Sequence, residues 1–173
     1  IVFAVHADPV GLGHVASLAR PGGNVTGTSM LLTELAAKGL EVISEALPRA
    51  RRIGILWNPS TPSHPRALQA VEAAGERLGL DLRKVPARSL EECDGALATM
   101  TQERVGGFLA VASPLVVGQP GPLAALELKY RLPGMFPFKE NVVAGGLMSY
   151  GADPYDLYHR AAVYIDKILK GAK

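Results

Sequence analysis

The segment Arg52–Ala87 restricts what this chain can fold into more than any other stretch, because it reads as strand, turn, helix, strand. Ile53, Ile55 and Leu56 form a short apolar run that stops at Trp57-Asn58-Pro59. Ser60, Thr61, Pro62 and Pro65 supply helix-start chemistry, since proline fixes φ and lacks the N–H that a first helical turn leaves unpaired. Leu68, Val71, Ala74 and Leu78 then recur at helical spacing, Gly79 offers the left-handed residue that closes a helix, and Leu80–Val85 resumes alternation. Two strands joined through a helix lie parallel with a right-handed crossover. The loop Trp57–Ser63 therefore stands at the carboxyl edge of a sheet, where open α/β sheets bind ligands.

The rest of the chain repeats this plan. Ile1–Val5 is wholly apolar, as a strand covered on both faces should be, and stops at His6-Ala7-Asp8-Pro9. A helix is expected from His14 to Leu18, a turn over Arg20–Asn24, a strand over Val25–Ser29 and an amphipathic helix over Leu31–Leu47. Beyond the central unit, Ser89 with Glu92 makes a capping box opening a helix to about Arg104. Gly107–Val111 is a buried strand ending at Ala112-Ser113-Pro114, and Leu123–Arg131 a helix. Leu132–Phe136 and Gly145–Tyr150 are the last strands, with one helical turn over Glu140–Ala144 between them. Asp153 is the N-cap of a final helix carrying Leu157, Ala161, Tyr164, Ile165 and Ile168. About seven strands alternating with helices define a doubly wound α/β fold. Breaks near Pro48–Arg51 and Tyr150–Ala152 suit a chain that leaves one lobe and returns to it, with a cleft between the two.

Composition removes several function classes. Net charge is only +2 and the basic residues are scattered, so nucleic acid is not the expected partner. No apolar run approaches the ~20 residues of a membrane span. One cysteine, Cys93, allows neither an internal disulfide nor a thiolate metal cage, and it reads as an inert thiol in a helix. His6, His14, His64 and His159 lack zinc-site spacing. Gly11-Leu12-Gly13 lacks the third glycine of a dinucleotide loop, and neither a phosphate-binding loop nor a GxSxG nucleophile elbow is present. No cofactor and no metal are expected.

The binding signal is stronger than the catalytic one. Asp8, Thr28, Ser29, Asn58, Ser60, Ser113, Ser149 and Tyr150 all fall at or just past expected strand ends. Small hydroxyl and amide groups along one sheet edge hydrogen-bond a polar molecule without reacting with it. Helix N-termini after Ser60 and after Ser113 would favour a carboxylate, and Asp8 would hold an ammonium group. Trp57, Phe138 and Tyr150 would wall an apolar side chain. The plainer alternative makes Asp8-Pro9 and Asn58-Pro59 turn formers and Trp57 a core residue. An enzyme using His6 and Asp8 as an acid–base pair is the remaining reading from these residues.

The block Asp8-Pro9-Val10 followed by Ser17–Gly27 (SLARPGGNVTG) resembles the hallmark of a family of ABC transporter substrate-binding proteins that includes tryptophan- and phenylalanine-binding members. Ile55-Leu56-Trp57-Asn58-Pro59, Gly145–Gly151 and Ala161–Gly171 are similar to its later blocks, so the resemblance spans essentially the whole chain. It implies a type I periplasmic-binding-protein fold with two lobes closing over a small ligand, an amino acid or related carboxylate. It also implies delivery to an ABC permease, no catalysis, and a periplasmic or extracellular, membrane-anchored lipoprotein. On this resemblance residues 1–47 and 149–173 are parts of the N-terminal lobe and 48–148 form the C-terminal lobe. An export signal and further strands would precede Ile1, and a tail would follow Lys173. Where the family usually carries an acidic or amide residue, Ala112-Ser113-Pro114 stand here. Exposed sheet edges of a partial lobe would let copies pair. A ligand-sensing domain of a regulator or receptor shares the same fold and is the alternative function.

Overall fold

The computed structural model describes residues 1–171. In chain order the elements are β1 (Val2–His6), β2 (Thr26–Ser29), α1 (Leu32–Ala46), β3 (Arg52–Trp57), α2 (His64–Leu78), β4 (Asp81–Pro86) and α3 (Leu90–Gln102). Then follow β5 (Gly107–Ala110), α4 (Pro114–Gly118), α5 (Pro120–Tyr130), β6 (Gly134–Phe136), α6 (Lys139–Val143), β7 (Met148–Ser149) and α7 (Pro154–Leu169). They form two parallel sheets: a pair β1-β2, and five strands in the order β4-β3-β5-β6-β7.

That order dictates where the helices go. The chain steps from β3 outward to β4, then returns past β3 to β5, β6 and β7 in the opposite direction. Right-handed crossovers in opposite directions place their helices on opposite faces, so α2 takes one face and α3, α5 and α6 the other. The contacts agree, since α3 packs on α5 and α5 on α6. The face of β5 and β6 beside α2 would then be bare. It is covered by α1, which packs on α2, β5 and β6 with Leu32, Ala36, Leu40 and Ile43 buried. The core between the layers joins these residues to Ile53, Ile55, Val71, Phe108, Leu109, Met135 and Phe136. Each fully buried large aliphatic or aromatic side chain contributes on the order of 2 kcal/mol.

The smaller sheet is built differently. β1 and β2 pair from Val2↔Thr26 to His6↔Ser29, with an irregularity between Phe3 and His6. α7 packs across both strands, but Ala161 is its only buried residue among those described.

Local chemistry appears where the sequence placed it at three helix ends. Gly79 closes α2 at φ 64°, the Ser89 hydroxyl accepts from the Glu92 N–H, and the Asp153 carboxylate accepts from the N–H groups of Tyr155 and Asp156. Three expectations are corrected. The segment expected as a helix from His14 to Leu18 is a series of turns, with the His14 and Val15 N–H groups both donating to the Pro9 carbonyl and Gly13 at φ 73° preventing continuation. The helix expected to start around Ser60 begins at His64. The last strand shrinks from Gly145–Tyr150 to Met148–Ser149, because Gly145 and Gly146 form the turn that follows α6.

Candidate functional site

All five strands of the larger sheet are parallel, so their carboxyl ends line one edge. The winding reverses between β3 and β5, the switch point at which open α/β sheets place their ligands. Trp57, Asn58 and Ser60 lie after β3, and Ser113 lies after β5.

One side chain ties these two loops together. His64, completely buried at the first position of α2, accepts the Asn58 N–H on Nδ1 at 3.0 Å and donates from Nε2 to the Ala112 carbonyl at 2.8 Å. Those partners define a neutral ring protonated on Nε2. Burial holds its pKa below the usual histidine value, against a smaller upward pull from the Ala112 carbonyl. The Asn58 Oδ1 accepts the Ser60 N–H at 2.9 Å, which makes the loop an Asx turn and explains why Ser60 precedes the helix rather than capping it. The Asn58 amide nitrogen makes no hydrogen bond among the described residues. Ser113 is the N-cap of α4, its buried hydroxyl accepting from the Val116 N–H at 3.4 Å. Trp57 packs half-buried against the core, and its Nε1 is enclosed without a hydrogen-bond partner.

The smaller sheet contributes the loop after β1. The Asp8 Oδ1 accepts the Gly11 N–H at 2.8 Å, and its Oδ2 lies 3.6 Å from Nε of Arg66 in the first turn of α2. This ion pair joins the loop edges of the two sheets. The Asp8 N–H donates to Nδ1 of His6 at 3.1 Å, so the His6 proton sits on Nε2 and is given to Nδ1 of His14 at 2.7 Å. The His6 pKa is lowered by partial burial first and by His14 second, with Asp8 acting the other way. Both His6 ring nitrogens are therefore engaged, and the Asp8 carboxylate turns to Gly11 and Arg66 rather than to the imidazole.

The remaining sequence candidates lie elsewhere. The buried Thr28 hydroxyl donates to the Ala4 carbonyl beside the Leu157 carbonyl, locking β2 to β1 and α7. The Ser29 hydroxyl accepts the Leu31 N–H at 3.1 Å where the chain turns into α1. Tyr150 and Phe138 line a small apolar cavity of about 20 Å³ with Met30, Leu32 and Val111, beneath the two passages that connect the sheets. That volume holds about one water molecule. Cys93 is fully buried in α3, and burial pushes its thiol up to about 11.

Sequence reasoning did not find Arg66 or the bridging role of His64. A histidine on the apolar face of a helix, just past an Asn-Pro turn, was the one signal for the second. Nothing local signals the first, because its partner is far away in sequence.

Two parallel α/β bodies, joined by crossing passages and facing each other with their strand-end loops, define the class: a type I periplasmic-binding-protein-like fold. The chain belongs to the ABC transporter substrate-binding protein family, whose model matches residues 1–173. It is 23% identical over 171 residues to a tyrosine-binding protein of Clostridioides difficile, a match covering 99% of this chain and 49% of that protein. Among solved structures it is similar to a Streptococcus pneumoniae ABC domain in complex with L-Trp, with 26% identity and a TM-score of 0.85, covering 99% of this chain and 57% of that one. It is also similar to a conserved domain protein of Vibrio cholerae, with 25% identity and a TM-score of 0.84, covering 96% and 55%. The chain thus spans about half the length of these relatives.

Proposed function

We propose that the protein containing this chain is the solute-binding component of an ABC importer, with an amino acid as ligand. The observation that carries this reading is the meeting of strand-end loops from two separate sheets, with Asp8 on one side and Arg66 on the other. Membership of the family and relatives named for tyrosine binding and solved with L-Trp support an aromatic amino acid. The ligand lies between the bodies, and contacts made from both stabilise a closed form that the membrane permease receives. The protein works outside the cytoplasmic membrane. It binds and releases without chemical change.

We place the lobe boundary by packing, ahead of α1, where the sequence suggested Pro48. Because α1 completes the larger sheet's core, the passage through Met30–Leu32 is the first crossing and Tyr150–Ala152 the second. Residues 1–30 with α7 then belong to one lobe and α1 through β7 to the other.

A thermal-shift panel on the full-length protein tests the ligand class. A ligand at about 100 times its dissociation constant adds ~2.7 kcal/mol to stability, a shift of several degrees. A selective rise with L-tyrosine, L-tryptophan or L-phenylalanine over sugars and nucleosides is expected. Rises only with sugars or nucleosides would overturn the amino-acid reading. Asn58→Ala, which removes an uncommitted amide at the switch point, should weaken binding at least tenfold.

A further inference from the structure

The Asp8–Arg66 pair is not explained by the needs of either element that carries it. Arg66 stands in the first turn of α2, where the helix dipole favours an anion, and that turn holds no acidic residue. Its side chain is 59% exposed while that of Asp8 is 15% exposed, so the pair sits at the opening between the sheets and not in a core. The β1 loop is built around it. Gly11 lies so close that a Cβ at this position would stand 2.0 Å from Asp8 Oδ2 and 2.3 Å from Arg66 Nη1. A side chain here would have to push the two charged groups aside.

Of the two helix N-termini expected to receive a carboxylate, one is displaced and the other is capped. The helix after β3 starts at His64 rather than beside Ser60, and the α4 N-terminus is capped by its own Ser113. Arg66 is the cation at this opening, and its planar fork of N–H donors matches a carboxylate in two parallel hydrogen bonds. Opposite charges a few ångströms apart, one from each body, complement the ammonium and carboxylate of a zwitterion.

We propose that Arg66 binds the α-carboxylate of the ligand while Asp8 binds its α-ammonium, the direct Asp8–Arg66 contact being the arrangement that the zwitterion replaces. This rests on the amino-acid reading above and adds to it the residue that selects an acid over an amine. Inserting the zwitterion exchanges one ion pair for two. A ligand with only one of the charges satisfies one side and leaves the other.

The test is calorimetric titration of the full-length protein, wild type and Arg66→Gln, with L-tyrosine, tyramine (no carboxylate) and 3-(4-hydroxyphenyl)propionate (no ammonium). For Arg66→Gln, L-tyrosine affinity should fall at least twentyfold while tyramine affinity changes less than threefold. Arg66→Lys, which keeps the charge and loses the fork, should fall in between. Asp8→Asn should show the mirror pattern, losing tyramine affinity and sparing the propionate. Equal losses for L-tyrosine and tyramine in Arg66→Gln would overturn the proposal, making the arginine a clasp between bodies. Unchanged L-tyrosine affinity would overturn it too. If the wild-type protein binds none of the three probes, the amino-acid reading itself falls, and the wild-type titrations alone reveal it.

Discussion

The two loop clusters that face each other in this protein are held by opposite means. The switch point between β3 and β5 is fastened from within: His64 is fully buried, both its nitrogens are engaged, and the asparagine and serine beside it close their own turns. The loop after β1 closes on itself only through the Asp8–Gly11 turn and the exposed His6–His14 contact, and it meets the other body through the solvent-facing Asp8–Arg66 pair. A binding site made of one rigid wall and one adjustable wall can present fixed donors to a ligand and still close over it. Stability should therefore concentrate at the first cluster and ligand response at the second.

The strongest test of that contrast is His64→Ala. It removes two buried hydrogen bonds and leaves a cavity, and it should cost about 3 kcal/mol in urea unfolding of the full-length protein. A loss below about 1 kcal/mol would mean that the two loops hold together without the imidazole, and the rigid wall would not be rigid.

Acidification gives the next largest effect. The folded-state pKa of His64 is lowered, so its stabilisation is fully present above the unfolded value of about 6.5 and is lost as pH falls below it. The physical event is protonation of Nδ1, which sets an N–H against the Asn58 N–H. His6 is shifted in the same direction, so the two must be separated. The drop in melting temperature between pH 7 and pH 5 should persist in His6→Gln and largely vanish in His64→Gln. The reverse result would move the pH sensitivity to the adjustable wall. Ser113→Ala, which uncaps α4 at the same switch point, should cost about 1 kcal/mol, measured by the same unfolding experiment.

The local turns of both walls are legible in the amino-acid sequence, but the contacts that tie them to distant segments, His64 to Ala112 and Asp8 to Arg66, are not. The strand–helix–strand unit over Arg52–Ala87, the turn at Asn58-Pro59 and the capping pattern at Ser89 follow from spacing within a few residues, which periodicity and turn chemistry report directly. The His14–Leu18 segment shows the limit of that approach: its apolar residues suit a helix, but Gly13 at φ 73° and the paired donation to the Pro9 carbonyl make it a string of turns. The placement of α1 is a second case. Its amphipathic pattern is plain, yet only the crossover directions of the other helices reveal which bare face it must cover. Thr28 stands at a strand end like Ser29, but its side chain points to the Ala4 carbonyl and α7, and alternation could not settle that in a four-residue strand.

The smallest effect is the sharpest check on the adjustable wall. Arg66→Gln breaks an ion pair whose arginine is more than half exposed, and exposed pairs contribute little once screening and side-chain entropy are counted. Ligand-free stability in urea should therefore change by less than about 0.5 kcal/mol, and raising the salt concentration should shrink even that. A loss above about 1 kcal/mol would show that the pair clasps the two bodies in the absence of ligand. In that event the contrast between the walls would fail at the residue where the two sheets meet, because the contact read as yielding to a ligand would itself be holding the fold closed.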